Sequence, residues 1–87
     1  MDRSRPLDDV RIKIDEIYVP KARRAQLNAE TVAALADSIL QEGMKIPINV
    51  RKDGERYVLV EGLHRLEACK ALGEEEITAV IVRAKQH

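Results

Sequence analysis

The sequence predicts an α+β domain in which two helices pack on a small mixed sheet. Short runs of apolar residues alternate with polar ones, as they do in half-buried strands, and two longer segments repeat apolar residues at helical spacing. An Asp-Gly pair at residues 53–54 joins two of the predicted strands. Taken in chain order, the predicted elements of the domain over residues 10–84 are β-α-β-β-α-β.

The composition fits one small domain with an aliphatic core. The chain has 87 residues, of which 45% are hydrophobic but only 2% aromatic, and its 15 basic and 15 acidic side chains cancel. A non-specific nucleic-acid binder normally carries a basic excess and aromatic residues on which bases stack, so this class is disfavoured. The single cysteine excludes an internal disulfide, and no apolar run reaches the length of a membrane span, so we expect a cytoplasmic protein with no membrane contact.

The first third of the chain predicts one strand between two irregular segments. Residues 1–9 are polar and aperiodic, so we expect a disordered N-terminal segment. Apolar and basic residues alternate over residues 10–14, which indicates a half-buried strand. Residues 15–20 are expected to form a turn or a helical bend, and residues 21–26 a basic, irregular stretch.

An amphipathic helix is predicted to follow. Asn28 is a favourable N-cap, and Gly43 is a favourable residue just beyond the helix end. Between them, apolar residues recur at the spacing that places side chains on one face of an α-helix. The residues of this inner face are Val32, Leu35, Ala36, Ile39 and Leu40.

A hairpin, a second helix and a final strand complete the predicted domain. Residues 46–51 and 56–61 are predicted strands, and the tight turn between them is predicted to hold Gly54 at a positive φ. The second helix is predicted over residues 63–72. The run at residues 77–82 is continuously apolar and rich in β-branched residues, which is typical of a strand covered on both faces.

The one cysteine has the pattern of a core residue. Cys69 shares the inner face of the second helix with Leu66 and Leu72, so we expect a buried, unreactive thiol. Neither Cys69 nor the two histidines, His64 and His87, have the spacing of metal ligands, so no metal site is predicted.

The junction between a strand and the second helix carries the residues of an anion site. The first N–H groups of a helix lack intrahelical acceptors and lie at the positive end of the helix dipole, so they bind phosphates and carboxylates. Gly62 lets a ligand approach the backbone closely. Arg65 can add a bidentate contact, and His64 a donor or a proton. The alternative is a glycine turn followed by two solvated side chains, and the residues alone leave both interpretations open.

Two further segments are candidates for the same site. Residues 20–24 combine a proline with basic residues, so Arg24 could reach over a bound anion, although a solvated loop is the simpler interpretation. Glu61 ends the strand before Gly62 and could act as a general base or a magnesium ligand, or could remain a solvated carboxylate.

In this order, the elements resemble the N-terminal domain of ParB partition proteins, which is related in fold to sulfiredoxin and to a free-serine kinase. The resemblance covers residues 11–82. It comprises the proline-and-arginine box at 20–24, the capped helix ending at Gly43, a Pro-Ile-x-Val strand at 47–50, and a glycine box of the G-x-[HR]-R type at 62–65. Each piece is common, and their ordered set is specific.

The resemblance implies a nucleotide site. The family binds nucleoside triphosphates at the glycine box, CTP in ParB and ATP in sulfiredoxin and the kinase, so CTP or ATP with Mg²⁺ is the implied ligand. Carried onto this sequence, the nucleotide-binding residues are Gly62, Leu63, His64 and Arg65, with Arg24 from the upstream box. The implied function is a regulatory or DNA-partition-associated, nucleotide-binding module.

Leu63 departs from the family. ParB proteins commonly have a glutamate there that is tied to CTP hydrolysis, and sulfiredoxin has its reactive cysteine there, so Leu63 favours binding over turnover. The alternative is an ATP-dependent phosphotransferase or nucleotide hydrolase that uses Glu61 as its catalytic acid–base group. A ParB-like nuclease is a weaker one, because no cluster of carboxylates and histidines would hold its metal ions. A third is a structural interaction domain that binds no ligand.

The partners follow from the same resemblance. The chain ends before the second ParB box and the helix-turn-helix domain, so we expect DNA contact only through a missing or separate domain. A homodimer is a further expected assembly.

Overall fold

Residues 9–44 and 46–83 are described by the computed structural model, and they form a five-stranded mixed sheet with three α-helices. The strands are β1 Asp9–Lys13, β2 Ile17–Tyr18, β3 Ile48–Asp53, β4 Arg56–Glu61 and β5 Glu76–Ile81. The helices are α1 Lys21–Arg24, α2 Ala29–Glu42 and α3 Leu63–Ala71, and a 3-10 turn at Ile14–Glu16 connects β1 to β2.

The sheet has the strand order β1-β5-β3-β4-β2. The β1–β5 and β3–β4 pairs are antiparallel, whereas the β3–β5 and β2–β4 pairs are parallel. The predicted α+β class is therefore confirmed. The predicted order β-α-β-β-α-β is also present, with β2 and α1 inserted after β1.

These two inserted elements correct the expectation at residues 17–18 and 21–24, whereas the 3-10 turn at Ile14–Glu16 agrees with the helical bend expected from residue 15. β2 contains only Ile17 and Tyr18, which is too short to show an alternating pattern, and it becomes a strand by pairing with β4. α1 is a single turn in which the carbonyl of Pro20 accepts hydrogen bonds from the N–H groups of Arg23 and Arg24 at 3.0 and 3.1 Å. Because none of its side chains is buried, it lacks the apolar period that predicts a helix.

Asp9 was expected to end a disordered segment, but it begins β1 and pairs with Val80 in the ladder between β1 and β5, which corrects that boundary. The disordered segment expected at residues 1–9 otherwise lies outside the described residues, as does the expected end of the domain at residue 84.

The core lies between α3 and one face of the sheet. Its residues come from β1, β3, β4, β5 and α3, with Ile14 and Val19 beside them. Its most completely buried large side chains are Ile48, Val50, Leu59, Leu66 and Ile77. Cys69 is also buried there, with its Sγ 3.6 Å from Sδ of Met44. The predicted burial of the thiol is confirmed, and its low reactivity remains a prediction.

The helix α2 packs mainly on α3. Its predicted ends are confirmed, because Oδ1 of Asn28 accepts a 3.0 Å hydrogen bond from the N–H of Thr31 and Gly43 follows the last turn with φ 81°. The predicted inner face is only half covered, and Leu40 is 71% exposed. The prediction that Leu40 is buried was therefore wrong. Helical periodicity shows which face of a helix is apolar, but it does not show how much of that face the rest of the protein covers. Within the described ranges, no helix has both the length and the apolarity needed to span a bilayer.

The hairpin between β3 and β4 is confirmed. Asp53 and Arg56 are the last paired residues, so the two-residue turn is formed by Gly54 and Glu55. Gly54 has the predicted positive φ, at 65°, and it occupies the first turn position that type II′ turns reserve for glycine.

The strand β5 differs from its prediction on one face. Ile77 and Ala79 are buried in the core, whereas Thr78, Val80 and Val82 on the opposite face are only half-buried. The expectation of cover on both faces is therefore wrong for the described residues. We refer to this second side of the sheet as the outer face.

Candidate functional site

Gly62 turns the chain from β4 into α3. Its backbone has φ 110° and ψ 29°, a left-handed conformation that L side chains rarely adopt. A Cβ placed on Gly62 would lie 2.6 Å from Cγ2 and 2.9 Å from Cβ of Ile48, a buried residue of β3. The glycine therefore lets the end of β4 and the start of α3 lie directly against β3. The sequence alone suggested the approach of a ligand as the reason for this glycine, whereas its packing against Ile48 is visible only in the structure.

The first turn of α3 leaves its amides open. No side chain caps this turn, and its first backbone bond runs from the N–H of Leu66 to the carbonyl of Gly62 at 2.9 Å. The N–H groups of Leu63, His64 and Arg65 precede that bond and have no acceptor within the helix. Such amides lie at the positive end of the helix dipole and bind oxyanions.

An open cavity of about 310 Å³ lies at this helix end. The end of β4 and the first turn of α3 form one side, and the first turns of α2 form the other. The lining residues are Thr31, Leu35, Glu61, Gly62, Leu63, His64 and Arg65. The structure thus brings together all the predicted site residues except Arg24.

His64 contacts α2 as well as the cavity. Its Nε2 accepts a 3.0 Å hydrogen bond from the backbone N–H of Asn28, the residue that caps α2. A ring nitrogen that accepts a hydrogen bond carries no proton, so the proton of the neutral ring lies on Nδ1. The expectation that His64 offers donors to a ligand therefore holds for Nδ1 only.

Arg65 is half-buried and incompletely bonded. Its Nη2 donates to the carbonyl oxygen of Pro47 at 3.4 Å, which is long for an N–H to oxygen bond. Its Nε is buried and has no acceptor among the described residues. A buried donor without a partner costs about 1–3 kcal/mol, and more when it is charged. Among residues 9–44 and 46–83, no carboxylate forms an ion pair with this guanidinium.

Glu61 is exposed at the end of β4. Its Oε1 accepts a 3.4 Å hydrogen bond from Nδ2 of Asn49 on β3, and its other oxygen has no partner in the described part of the chain. Among residues 9–44 and 46–83, no three histidine, cysteine or acidic side chains group as a metal site. A magnesium ion that is bound mainly by phosphates needs only one or two protein carboxylates, and Glu61 could provide one of them.

Leu63 and Arg24 have smaller roles than the sequence predicts. The side chain of Leu63 is 8% exposed and belongs to the core, so its polar contribution to the cavity is limited to the backbone amide. Arg24 is exposed at the end of α1 and does not line the cavity. Its carbonyl accepts from the N–H of Leu27, and the chain then reaches Asn28, which binds His64. The backbone that follows Arg24 therefore leads to a residue that contacts the site, but the side chain of Arg24 does not reach the cavity.

Three contributors to the site were missed in the sequence. Thr31 and Leu35 line the cavity because α2 packs beside α3, and the carbonyl of Pro47 receives Arg65 because β3 lies under the helix. These contacts join residues far apart in the chain. The capping pattern at Asn28 predicted the residue at which α2 begins. It gave no indication that this end of α2 would pack beside the first turn of α3.

The amino-acid sequence has relatives among partition proteins. The family model of the ParB N-terminal domain matches residues 3–87. A probable chromosome-partitioning protein ParB of Campylobacter jejuni is 41% identical over 71 residues, which are 80% of this chain and 26% of that protein. A nucleoid occlusion protein of Oceanobacillus iheyensis is 36% identical over 75 residues, 83% of this chain and 26% of that protein. The chain spans about a quarter of the length of these relatives.

Solved structures share the fold. Sulfiredoxin from Arabidopsis thaliana is similar with a TM-score of 0.79 and 31% identity over 88% of this chain and 86% of its own. ParB from Caulobacter crescentus complexed with CTP-gamma-S has a TM-score of 0.78 at 22% identity, over 91% of this chain and 46% of its own. A free serine kinase in complex with AMP has a TM-score of 0.75 at 25% identity, over 87% of this chain and 31% of its own.

Proposed function

The chain belongs to the ParB N-terminal domain family, and from this premise we propose that it is the nucleotide-binding domain of a DNA-partition protein. The triphosphate sits at the N-terminus of α3. The amides of Leu63, His64 and Arg65 donate to its oxygens, and the guanidinium of Arg65 supplies the positive charge.

The observation that carries this proposal is the uncapped first turn of α3 at an open cavity that Arg65 also lines. The half-buried guanidinium of Arg65 pairs with no carboxylate of the described residues, and its terminal nitrogens can donate to a phosphate oxygen. The same oxyanion would satisfy the open amides of the first turn. The open amides and the guanidinium are donors for the same ligand class, an oxyanion.

CTP is the favoured nucleotide. The curated relatives are partition proteins, and the Caulobacter crescentus ParB with this fold was solved with CTP-gamma-S. ATP is the second choice, because the free serine kinase of similar fold was solved with AMP. We propose that Mg²⁺ accompanies the nucleotide, held by phosphate oxygens and by the free oxygen of Glu61.

Binding without turnover is the favoured activity. A phosphotransferase or hydrolase that uses Glu61 is the second candidate, supported by the position of this carboxylate on the cavity wall. The chain spans about a quarter of the length of its relatives, and we propose that any DNA contact is made through a separate domain.

Calorimetric titration of the domain with CTP, ATP, GTP and UTP, with and without Mg²⁺, tests the proposal. CTP is expected to bind with a dissociation constant below about 1 mM and more tightly than the other three. The proposal fails if none of the four binds at millimolar concentration to protein that is folded by circular dichroism. Release of labelled phosphate that stops in a Glu61→Gln variant would instead establish the enzymatic candidate.

A further inference from the structure

The outer face of the sheet carries an open groove of about 460 Å³. Its floor contains Val58 and Val60 of β4 and Val82, which follows β5 and bonds through its N–H to the carbonyl of Val50 at 2.7 Å. Three arginines stand around this floor, one from α1, one from β3 and one after β5. They are Arg23, Arg51 and Arg83. We call this feature the valine–arginine groove.

The floor of the groove is an apolar surface of the kind that is normally covered by other protein atoms. The continuous apolar run at residues 77–82 is typical of a strand with protein on both faces. Of the floor residues, Val60 and Val82 remain half-buried, whereas Val58 is already buried. Each half-buried side chain would gain free energy if a further apolar group covered it.

The rim of the groove is a local excess of positive charge. Arg51 lies directly across from Val58 in the β3–β4 ladder, so its guanidinium starts from the same face as the valines. Within the described residues, Arg23, Arg51 and Arg83 are bonded to no carboxylate. In a chain whose net charge is zero, three unpaired guanidinium groups around one groove select a negatively charged partner.

The apolar floor and the basic rim together indicate the chemistry of the partner. Single-stranded nucleic acid stacks its bases on aromatic side chains, and none lines the groove; a phosphate backbone would pair with the arginines but leave the valine floor uncovered. Aliphatic side chains fit the valines, and carboxylates form bidentate pairs with arginine. We propose that the valine–arginine groove docks an acidic, aliphatic segment of a partner protein. The ends of this chain do not match, because residues 1–8 carry equal numbers of acidic and basic side chains and residues 84–87 carry no acidic one.

The groove is separate from the nucleotide site. It shares no lining residue with the cavity at Gly62, His64 and Arg65. Partner docking and nucleotide binding can therefore be measured independently, and failure of one proposal leaves the other standing.

The test uses fluorescence anisotropy with three probes: a labelled peptide of alternating leucine and glutamate, the same peptide with lysine in place of glutamate, and a labelled DNA oligonucleotide in single- and double-stranded form. The glutamate peptide is expected to bind at least about tenfold more tightly than the other two, with affinity that falls as salt rises. Equal binding of both peptides would overturn the proposal, and so would tighter binding of DNA.

Variants locate the contact. Arg51→Ala and Arg83→Ala are each expected to weaken the glutamate peptide about three- to fivefold, as partly exposed ion pairs do. Val82→Thr, which keeps the branched shape but adds a hydroxyl, should also weaken it. Arg56→Ala is the matched control, because Arg56 lies outside the groove, against Asp53 and the ring of Tyr18. Unchanged affinity in the three groove variants, with folded proteins, would refute the assignment.

Discussion

Nε2 of His64 accepts a 3.0 Å hydrogen bond from the backbone N–H of Asn28, and this bond joins the first turn of α3 to the residue that caps α2. The glycine box, residues 62–65, is therefore part of the packing between two helices as well as the proposed anion site. The bond also fixes the position of the first turns of α2, which form one side of the cavity.

Loss of the His64 acceptor should destabilise the domain modestly. His64→Ala is expected to lower the free energy of unfolding by about 0.5–1.5 kcal/mol, the net value of one hydrogen bond, because water can reach the freed amide of Asn28. Urea denaturation measures this change. His64→Gln keeps an acceptor oxygen and should lose less than the alanine variant. Equal losses in the two would mean that packing of the ring, rather than the bond, is responsible.

Gly62→Ala should be among the most destabilising small substitutions in the domain. The new Cβ would lie 2.6 Å from Cγ2 of Ile48 on a backbone with φ 110°. The left-handed conformation and the overpacking together should cost about 2–5 kcal/mol in free energy of unfolding.

The control for this prediction is Gly54→Ala in the hairpin turn. Gly54 also has a positive φ, but nothing lies within 4 Å of a Cβ there, so only the conformational cost of about 1–2 kcal/mol applies. Thermal or urea unfolding compares the two variants. If they are equally stable, close packing against Ile48 is not what requires glycine at position 62.

Chemistry encoded within a few residues of the chain was predictable from the sequence. The cap at Asn28, the helix end at Gly43 and the turn at Gly54 each follow from a side chain or a backbone preference that acts on its neighbours. The buried Cys69 follows from helical period. These local signals were enough for the α+β class and for the junction at which the candidate site lies.

Contacts between distant segments were not predictable. The exposure of Leu40, the pairing of β2 with β4 and the approach of Ile48 to Gly62 depend on which surfaces meet in three dimensions. The bond from Asn28 to His64 is of the same kind, and the sequence offered no pattern that links these two residues. Site residues were therefore identified by type, while their partners had to come from the structure.

Cys69 should make stability depend on alkaline pH. Burial raises the pKa of its thiol, and the nearby carboxylate of Glu74 adds to this, partly offset by Arg11. Because the folded pKa is above the unfolded one, the stabilisation is complete below about pH 8.5 and is lost as pH rises further. Urea unfolding at pH 7 and pH 9.5 should show a decline that is smaller in Cys69→Ala.

The same burial should protect the native thiol from modification. A thiol reagent at neutral pH is expected to label folded protein much more slowly than protein unfolded in urea, because the thiolate is the reactive form and its formation is suppressed. Labelling at the unfolded rate under native conditions would contradict the position of Cys69 in the core.

Arg65 should show opposite effects on nucleotide affinity and on stability. Arg65→Ala is expected to weaken CTP binding by about 1.5–3 kcal/mol, the range for hydrogen bonds to charged groups, which is roughly ten- to hundredfold in dissociation constant. Arg24→Ala should have less effect than that, because Arg24 does not line the cavity. Calorimetric titration of the variants gives both comparisons.

The stability of the empty domain provides the second half of this test. Arg65→Met keeps the apolar stem of the side chain and removes a buried Nε that has no acceptor in the described residues, so the free energy of unfolding should stay the same or rise. Residues retained for binding commonly carry such a cost in the unliganded protein. A methionine variant that binds CTP weakly yet unfolds at equal or higher urea concentration would identify Arg65 as a ligand-binding residue. If the variant is markedly less stable, Arg65 is a structural residue, and the phosphate site must be sought elsewhere.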